Sequence, residues 1–444
     1  MFPKDIADIL QRLYDKGIKA YVVGGAVRDI LMGRSPEDYD VAAECFPEEL
    51  VAAFADCESY DTGIRFGTLC VHSGERFVEI TCCRTEEGYS DRRRPDEVRF
   101  CKSIEKDLAR RDLTVNAMAM TATGEVIDPF FGRQDLHSGI IRCVGEPERR
   151  FSEDGLRIIR ALRFASCLGF EIEEKTRTAI LSCRELLLKV SGERIFTELK
   201  KLLMGENVLR VLLEYSDVIC TVIPELSASV GFEQNNPHHI YTVYEHTARA
   251  VAASPANINV RLCMLLHDIA KPSSYTVDEK GIGHFYGHPE RSERMAGDIL
   301  RRMRADGETV RAVCFLVKYH DVRPAASRKS LHKYISKVGF DGARTLLDVR
   351  RADLSAQSPE YFSQFEYLDE SERIINELEA EGACTGVSEL AVNGRDLIEL
   401  GIPEGKAVGE ALSQLLKEVI AGNVKNERNA LLKLTKKKMK ISDV

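Results

Sequence analysis

The sequence lacks any run of about 18 apolar residues, and this absence excludes a transmembrane helix. We also expect no signal peptide, because the N-terminal stretch MFPKDIADILQRL is amphipathic and carries acidic residues. These two absences predict a cytoplasmic protein that does not enter a membrane. The sequence gives no indication of the oligomeric state.

Paired cysteine spacing is also missing. Thirteen cysteines occur, an odd number, and no two of them form a C-x-x-C pair. This distribution indicates reduced thiols in the core and on the surface of a cytosolic protein. Cys82 and Cys83 are adjacent on a predicted strand, so we expect them to point to opposite faces of the sheet.

An overall positive charge is absent too, since the formal net charge is −8. Net charge governs solubility, whereas nucleic-acid binding depends on where the positive charges lie. Basic residues are locally dense at Arg92–Arg94, Arg110–Arg111, Arg149–Arg150 and Lys436–Lys438. Each cluster alone fits a solvated surface, and together they are compatible with a nucleic-acid partner.

The length of 444 residues predicts more than one domain. Single hydrophobic cores stop growing at roughly 250–300 residues. Strand and helix signals alternate up to residue 137, as in an α/β domain that handles nucleotides. From residue 138 onward the strand signals fade and helical patterns take over.

The stretch Val22–Glu44 carries the first motif with chemical meaning. It predicts a buried strand, a turn at Gly24 and Gly25, a short helix with Arg28, and a second strand. Glycines let backbone N–H groups approach a phosphate at the start of a helix, and Arg28 adds a cationic fork. The motif therefore predicts a phosphate-binding turn.

Two carboxylates follow on the second predicted strand. Asp38 and Asp40 are two residues apart, so we expect them on one face, where they could hold a divalent cation beside a triphosphate. A hairpin is predicted next, with its turn at Ser73 and Gly74. Its second strand carries Glu79, which is either a solvent-facing residue or a third carboxylate of the same site.

The motif GGAVRD followed by DYD resembles the head signature of the class II tRNA nucleotidyltransferases. These comprise the CCA-adding enzymes and the related bacterial poly(A) polymerases. The resemblance implies Mg²⁺ at Asp38 and Asp40, with Glu79 as a further catalytic carboxylate. The sequence departs from the family where Cys82 and Cys83 replace a threonine and an aromatic residue.

Residues 84–98 are polar and rich in both charges. They fit either a plain surface loop or the flexible loop of the family, which permits the final A addition. Because the loop has its full length here, it argues against an enzyme that adds only CC.

Residues 105–121 resemble the family's R-R-D-F-T-x-N-A element, with Leu113 in place of the usual aromatic residue. The resemblance implies that Arg111 meets the triphosphate or ribose. It also implies that Asp112 and Asn116 organise the loop or the sugar. Asp112 could in addition cap the helix that an apolar run predicts after it.

Residues 152–168 carry Asp154, Arg157, Arg160 and Arg163 at intervals of three, along one side of a predicted helix. Alone, this ladder fits a salt-bridged surface helix that begins at an acidic N-cap. Its start also resembles the family's E-D-x-x-R element, in which the protein hydrogen-bonds the edge of the incoming base and replaces a template. The resemblance implies that these four residues bind the nucleotide.

A carboxylate accepts and an arginine donates, so Asp154 and Arg157 can satisfy the edge of cytosine or adenine. Guanine and uracil present other patterns and would leave buried groups unpaired. Downstream, SGERIFTELKKLL with Glu193 and Arg194 resembles the next family element and is expected to brace this helix.

Histidines concentrate later in the chain, where seven of the ten lie between residues 238 and 320. Imidazole with carboxylate suits Zn, Mn, Fe or Ni better than Mg. The order of histidines and aspartates along this part of the chain resembles that of the HD phosphohydrolase superfamily. Either His284 or His288 would fill one of the ligand positions. The resemblance implies a transition-metal site at His246, His267, Asp268, His288, His320 and Asp353. Such a set is either an active hydrolase site or a scaffold.

The family resemblance implies an α+β fold. A polymerase-β-like nucleotidyltransferase head with a mixed sheet would be followed by an all-α neck, an HD body and a tail. We expect the head at residues 1–137, the neck at 138–205, the HD domain at 206–361 and a helical tRNA-binding tail at 362–444. The basic end KLTKKKMK would hold RNA phosphates or only solubilise the chain.

The implied activity is that of a CCA tRNA nucleotidyltransferase. It would add C, C and A to the tRNA 3′ end from CTP and ATP, without a nucleic-acid template and with Mg²⁺. Three alternatives stay open: an enzyme that adds only A, a poly(A) polymerase, and an HD phosphohydrolase acting on RNA ends or nucleotides.

Overall fold

The computed structural model describes residues 2–74, 76–87 and 97–439. Most of the predicted loop 84–98, with Arg92–Arg94, and the last residue of the basic end KLTKKKMK lie outside the described residues. Two compact units are present. The first comprises the described residues up to Ser227 with Arg302–Ala305, and the second comprises Ala228–Arg301 and the described residues from Asp306 onward.

The first unit is built from short strands followed by helices. Its strands are β1 (Ala20–Val23), β2 (Asp40–Ala43), β3 (Ser59–Gly63), β4 (Thr68–Ser73), β5 (Arg76–Cys82), β6 (Arg84–Glu87), β7 (Glu97–Phe100), β8 (Ala119–Met120), β9 (Val126–Ile127), β10 (Ile140–Ile141) and β11 (Glu171–Ile172). Its helices are α1 (Lys4–Asp15), α2 (Gly25–Leu31), α3 (Pro47–Ala53), α4 (Ile104–Ala109), α5 (Gly132–Ser138), α6 (Pro147–Glu153), α7 (Leu156–Leu168), α8 (Glu174–Ser182), α9 (Gly192–Leu203), α10 (Val208–Glu214) and α11 (Ser216–Val222).

A seven-stranded sheet in the order β3-β4-β5-β2-β1-β8-β9 forms the centre of this unit. The pair β2–β5 is parallel and the other neighbouring pairs are antiparallel, so the sheet is mixed, as predicted. The predicted hairpin around Ser73 is the pair β4–β5. Helices without long strands follow from α6 onward, which confirms the α+β fold class.

Alternation along the strands divides the buried residues between the two faces of the sheet. Val22 and Val41 pack with α1 on one face, whereas Val23 and Ala42 pack with α4 on the other. Cys82 and Cys83 follow the same rule, because Cys82 belongs to the first cluster and Cys83 to the second. The expectation that these two thiols point to opposite faces is confirmed.

The second unit is mainly helical. Its helices are α12 (Val243–Ala253), α13 (Ile258–Leu266), α14 (His288–Arg302), α15 (Gly307–Tyr319), α16 (Arg328–Val338), α17 (Phe340–Ser355), α18 (Gln364–Ala380), α19 (Gly394–Glu399), α20 (Lys406–Ile420) and α21 (Arg428–Met439), and a short pair of strands is formed by β12 (Thr276–Val277) and β13 (Gly283–His284). Helix α13 packs against α12, α15 and α17, which brings distant parts of the sequence around its C-terminal end.

The C-terminal helices α19–α21 share a separate hydrophobic cluster that includes Leu397, Leu415 and Leu431. This confirms the helical tail. The predicted boundaries at residues 137, 205 and 361 stay a prediction. Within the described residues, no helix combines the length and the apolar character needed to cross a membrane.

Gly132 tests the packing of the head. A Cβ atom at Gly132 would lie 2.3 Å from the Thr114 carbonyl oxygen and 2.9 Å from the Met118 side chain. We expect Gly132→Ala to destabilise the protein by about 1–3 kcal/mol. The clash is with the backbone carbonyl of Thr114, which cannot move aside as the end of a flexible side chain can. Calorimetric unfolding measures the effect.

Gly409 in α20 is the matched control, because a Cβ there meets no atom within 4 Å among the described residues. Gly409→Ala should raise stability by about 0.5–1 kcal/mol, since alanine is the better helix former. Equal unfolding temperatures for Gly132→Ala and wild type would contradict the packing argument.

Candidate active site and metal centre

A cavity of about 540 Å³ lies in the first unit, between the sheet and the helices that follow it. All ten residues predicted to bind the nucleotide line this cavity: Gly24, Gly25, Arg28, Arg111, Asp112, Asn116, Asp154, Arg157, Arg160 and Arg163. Asp40 lines it as well. The structure therefore brings together distant parts of the sequence, from Gly24 to Arg194.

The glycine turn shapes one wall of the cavity. Gly24 has φ of +72°, and a Cβ atom there would lie 2.8 Å from Nη1 of Arg111. Glycine is thus required both for the backbone conformation and for the close approach of a guanidinium. Across the turn, Nη1 of Arg28 donates to the amide oxygen of Asn116 at 2.8 Å, which joins two of the predicted motifs.

Asp40 and Glu79 are direct partners in the parallel pairing of β2 and β5, so they project from the same face of the sheet. Asp38, by contrast, precedes β2, and its predicted position on the strand is wrong. Val23 of β1 pairs with Asp40, and the chain then turns at Gly24, so no β1 residue remains to pair with the segment before Asp40.

The pKa of Asp40 depends on a charged residue of the cavity and on a second carboxylate. Desolvation raises the pKa of Asp40, the charge of Arg111 opposes the rise, and the charge of Asp38 adds to it. In the described parts of the chain, Asp38, Asp40 and Glu79 do not form a cluster with all ligand atoms within 4.8 Å of one another. Asp38 and Glu79 also lie outside the cavity lining. Their oxygen donors suit a hard divalent cation, the ligand type that the prediction requires.

The predicted helix 152–168 is broken. Helix α6 ends at Glu153, and α7 begins at Leu156, with Asp154 in an extended conformation between them. The backbone N–H of Leu156 donates to the Asp154 carboxylate at 3.0 Å, but the N-cap of α7 is Gly155, so the prediction of an acidic N-cap is wrong by one residue. Gly155 fills the break because a Cβ there would lie 2.8 Å from the Leu186 carbonyl oxygen.

Asp154 and Arg157 line the cavity and are held by different partners. Arg194 donates to both carboxylate oxygens of Asp154, at 3.3 and 2.7 Å. Arg157 donates through Nη1 to Glu153 at 2.7 Å and through Nη2 to the Arg110 carbonyl at 3.1 Å. The bracing role expected of Arg194 is thus visible as a two-pronged ion pair.

The remaining arginines of the ladder meet two other acids. Arg160 donates to Asp112 at 2.7 Å and to Glu198 at 3.5 Å. Arg163 pairs with Glu198 at 3.0 Å. Burial acts to raise the pKa of Asp112, but the charge of Arg160 and its hydrogen bond outweigh burial and lower this pKa to about 2.

The capping role considered for Asp112 is wrong in one respect. The carboxylate accepts from the N–H of Leu113 at 2.9 Å, but the following element is a short 3-10 helix, Thr114–Asn116, with Leu113 at its N-cap. The apolar run after Asp112 is buried in the core and does not continue as an α-helix.

Four lining residues were not predicted to bind the nucleotide: Arg110, Leu156, Phe164 and Arg194. Phe164 is an apolar, buried residue of α7. Its ring lies against the guanidinium of Arg163, 3.9 Å from the ring centroid, with Arg28 at 5.2 Å and Arg160 at 5.6 Å. Such cation–π contacts hold arginines in place, and no sequence pattern of charges identifies them.

A second site lies in the other unit, around the C-terminal end of α13. The six predicted residues, His246, His267, Asp268, His288, His320 and Asp353, are all buried and form one cluster. Within it, His246, His267 and Asp268 form one group of possible metal ligands, and Asp268, His288 and His320 form another. Asp268 therefore belongs to both groups.

The four imidazoles share one orientation. Each Nδ1 lies 2.6–3.1 Å from a backbone carbonyl, those of Ala356, Met264, Phe285 and Val317 respectively. Since a carbonyl only accepts, each Nδ1 carries the proton, and each Nε2 is directed toward the carboxylates. This is the arrangement of second partners that orients metal-ligating histidines.

Two observations fit these residues to a metal ion. Nε2 of His267 is buried and has no hydrogen-bond partner among the described residues, and the nearby Oδ2 of Asp268 is buried and pairs with Nζ of Lys271 at 2.7 Å. Nε2 of His267 and Oδ2 of Asp268 lie 3.1 Å apart. Burial lowers the pKa of His320 to about 3, so this imidazole is neutral near pH 7, as a ligand must be. Burial also opposes protonation of His267, but Asp268 outweighs it and raises this pKa to about 9, so a metal ion that binds there would displace a proton from this imidazole.

His284 does not join the cluster. Its Nε2 lies 2.9 Å from Asp278, and its ring stacks on Tyr286. His288 therefore occupies the position for which the two histidines competed.

Lys271 is a site residue that the sequence interpretation missed. Its Nζ lies 2.7 Å from Asp268 and donates to Gln234 at 2.9 Å. Together with Asp268 and His288 it lines a cavity of about 310 Å³. The signal was present in the sequence, because Lys271 lies three residues after Asp268 on the same turn.

Three family models match the chain. Residues 20–142 match the Poly A polymerase head domain, residues 169–229 match the "Probable RNA and SrmB- binding site of polymerase A", and residues 284–435 match tRNA nucleotidyltransferase domain 2. The HD assignment of the second unit is not among these findings and stays a prediction.

Curated relatives match along nearly the whole chain. The CCA-adding enzyme of Ligilactobacillus salivarius is 33% identical over 98% of this chain and 96% of its own length. The CCA-adding enzyme of Enterococcus faecalis is 31% identical over the same shares.

Solved structures agree. The Bacillus stearothermophilus CCA-adding enzyme in complex with CTP matches with a TM-score of 0.74 and 31% identity, over 99% of this chain and 98% of that chain. The Thermotoga maritima CCA-adding enzyme complexed with tRNA shares the fold, with a TM-score of 0.60 at 21% identity, over 99% of this chain and 96% of that chain. On sequence identity, coverage and fold, this chain belongs to the CCA-adding enzymes, a family of nucleotidyltransferases.

Proposed function

We propose that this protein adds C, C and A to the 3′ end of tRNA, using CTP and ATP and no nucleic-acid template. The observation that carries the proposal is the single cavity lined by all ten predicted nucleotide-binding residues, with Asp40 at its wall. The relatives named CCA-adding enzyme along the whole chain support it.

The cavity supplies charge for a triphosphate. Seven arginines line it, against three aspartates: Arg28, Arg110, Arg111, Arg157, Arg160, Arg163 and Arg194, with Asp40, Asp112 and Asp154. In the reaction, the 3′ oxygen of the RNA forms a bond to the α-phosphorus, and the bond from that phosphorus to the bridging oxygen of pyrophosphate breaks. Positioned guanidiniums stabilise the negative charge on the pyrophosphate, which is the main catalytic contribution expected of the protein.

Asp38, Asp40 and Glu79 are the residues that would hold Mg²⁺. Bound there, the ion would acidify the attacking 3′-hydroxyl and neutralise charge on the leaving group. The protein's part is to place Asp40 and Glu79 side by side through the β2–β5 pairing and Asp38 close enough to act on Asp40.

Base choice is assigned to Asp154 and Arg157. The Asp154 carboxylate accepts from Leu156 and twice from Arg194, which leaves room for one further donor. Cytosine and adenine both carry an exocyclic amino group at the ring position where guanine and uracil carry an oxygen. A guanine would therefore place two acceptors against each other.

The direct test of the function uses three tRNAs, which end before the first C, before the second C and before the A. Each is incubated with each nucleoside triphosphate separately. Addition of C to the first two and of A to the third supports the proposal. Addition of A alone would assign an A-adding enzyme, and repeated addition of A would assign a poly(A) polymerase.

Asp40 tests the metal-binding carboxylates. We expect Asp40→Ala to lower the rate of nucleotide addition at least about a thousandfold, ~4 kcal/mol of activation free energy, while tRNA affinity stays nearly unchanged. Single-turnover rates and filter binding measure the two quantities. The control is Asp8→Ala, an exposed aspartate of α1. A rate within about tenfold of wild type would remove Asp40 from the metal site.

Arg157 tests base choice. Arg157→Ala should reduce discrimination between CTP and UTP or GTP by about 1–3 kcal/mol, because one well-made polar contact with the base is lost. Competition assays with all four nucleotides measure it. Arg149→Ala is the matched control, because Arg149 pairs with the same Glu153 at 3.4 Å but its side chain is 77% exposed. If Arg157→Ala slows all four nucleotides by one common factor, Arg157 binds phosphate and reads no base.

A second candidate function is favoured by the buried cluster around Asp268. His267 Nε2 is buried without a hydrogen-bond partner in the described residues, and a metal ion held with His246 and Asp268 would satisfy it. The mixture of imidazole and carboxylate donors suits Mn, Ni, Fe or Zn. We propose a phosphohydrolase site that acts on phosphomonoesters or 2′,3′-cyclic phosphates at RNA ends, which would expose the 3′-hydroxyl that the head requires.

Metal analysis tests this second site. Wild-type protein reconstituted with Mn, Ni or Co should retain about one equivalent or more and hydrolyse a phosphomonoester, whereas His267→Ala with Asp268→Ala should lose both properties and keep nucleotide addition. The control is His284→Ala, because His284 pairs with Asp278 outside the cluster. Wild-type protein with less than about a tenth of an equivalent and no hydrolysis would leave the cluster a scaffold.

A further inference from the structure

Three aromatic side chains lie together on the face of the sheet formed by β3, β4 and β5. The ring of Phe77 is 5.6 Å from that of Tyr60 and 4.8 Å from that of His72, centroid to centroid. Tyr60 is 51% exposed and Phe77 is 54% exposed. Large aromatic side chains grouped on an exposed face commonly mark an interaction site.

The cluster is continuous with the catalytic carboxylates. Phe77 and Glu79 are two residues apart on β5, so they share a face and lie about 7 Å apart along the strand. Glu79 is the pairing partner of Asp40 on β2. On the other side, Cys70 of β4 pairs with both Glu79 and Tyr60, which completes one row across four strands.

Glu58 fixes the aromatic side chains and sets their electrostatic character. Tyr60 donates its hydroxyl to Glu58 at 2.8 Å, and Nδ1 of His72 lies 3.3 Å from the same carboxylate. Rings that are already ordered lose little side-chain entropy when a ligand stacks on them. The carboxylate disfavours phosphate at this place, so the surface suits a base and not the backbone of a nucleic acid.

We propose that Tyr60, His72 and Phe77 form a stacking platform for an unpaired base of the RNA strand whose 3′-hydroxyl is extended. The inference rests on the proposed nucleotide addition, which brings that hydroxyl to Asp40 and Glu79. Because Phe77 lies about 7 Å from Glu79 along β5, it is within reach of a base near the 3′ end of an RNA strand that ends at these carboxylates. Base–aromatic stacking is tolerant of sequence, as a site that receives a growing end must be.

The base of the incoming nucleotide is a different ligand. It is assigned to Asp154 and Arg157 inside the cavity, and none of the three aromatic residues lines that cavity. The platform therefore affects RNA binding, and its loss leaves nucleotide binding unchanged.

Steady-state kinetics separate the two ligands. Phe77→Ala should raise KM for tRNA about fivefold to a hundredfold, the effect of losing one stacked base, with KM for CTP unchanged. Phe77→Tyr should restore the wild-type value, because it retains the aromatic face. Tyr14→Ala is the control, since Tyr14 on α1 is 75% exposed and does not belong to the cluster. An unchanged KM for tRNA in Phe77→Ala would overturn the proposal.

Fluorescence gives a readout that needs no catalysis. The chain contains no tryptophan, so Phe77→Trp introduces a single indole at the platform. A tRNA with an unpaired 3′ end should quench its emission by stacking, whereas the same tRNA trimmed to a blunt end, or CTP alone, should not. Equal quenching by blunt and single-stranded ends, or none by either, would overturn the platform.

The two readouts keep the platform and the activity apart. If no tRNA is extended but quenching depends on the unpaired end, the proposed function fails and the platform stands only as a binding site for an unpaired RNA end. If tRNA is extended normally and quenching and KM show no effect of Phe77, the platform fails and the function stands.

Discussion

Mutual repulsion of arginines is the constraint on which the first unit depends. Seven guanidiniums line one cavity, and burying like charges together is unfavourable unless each is paired. Acidic residues on three separate elements pair with these arginines. Glu153 ends α6, Asp154 fills the break before α7, and Glu198 lies on α9. Helices α6, α7 and α9 must therefore pack in one arrangement for the cavity to exist.

These ion pairs are better understood as positioning contacts than as a source of stability. Exposed pairs contribute about 0–1 kcal/mol, and buried pairs gain little over apolar packing because desolvation cancels much of the attraction. The side chains of Arg157 and Glu153 are each only 11% exposed, so removing one would leave the other poorly solvated. The ion pairs fix the orientation of the guanidiniums. The ring of Phe164 packs against three of them. A bound triphosphate then adds the negative charge that the cavity lacks.

The sequence predicted residue identities better than it predicted backbone geometry. All ten nucleotide-binding candidates line the cavity, and all six HD candidates form one cluster. The type of a side chain indicates which ligand it can bind even where the predicted backbone is wrong. Asp38 was placed on a strand because alternation alone cannot reveal where a pairing partner turns away. The break at Asp154 was missed because Gly155 is required by the Leu186 carbonyl, which lies 31 positions away (186 − 155 = 31).

Contacts between side chains that are distant in the sequence could not be predicted from sequence patterns either. Nothing in a helical pattern indicates that Phe164 lies among three guanidiniums, or that Tyr60 and Phe77 meet across the intervening strand β4. The choice of His288 over His284 likewise depends on tertiary structure, since the two histidines are four residues apart. Asp278 binds one of them and Asp268 the other.

The break at Asp154 has a consequence for selectivity. In a continuous helix the Leu156 N–H would bond to a backbone carbonyl, and the Asp154 side chain would follow the helix surface. Released from the helix, the carboxylate accepts from Leu156 and Arg194 and still has capacity for the amino group of a base. Cytosine and adenine carry such a group where guanine and uracil carry an oxygen, so in the proposed base choice this contact would set C and A apart from G and U without separating C from A. On that proposal Asp154 does not set the order in which C and A are added, so the position of the RNA end would set it, and the aromatic platform that we propose beside Glu79 is where that end would bind.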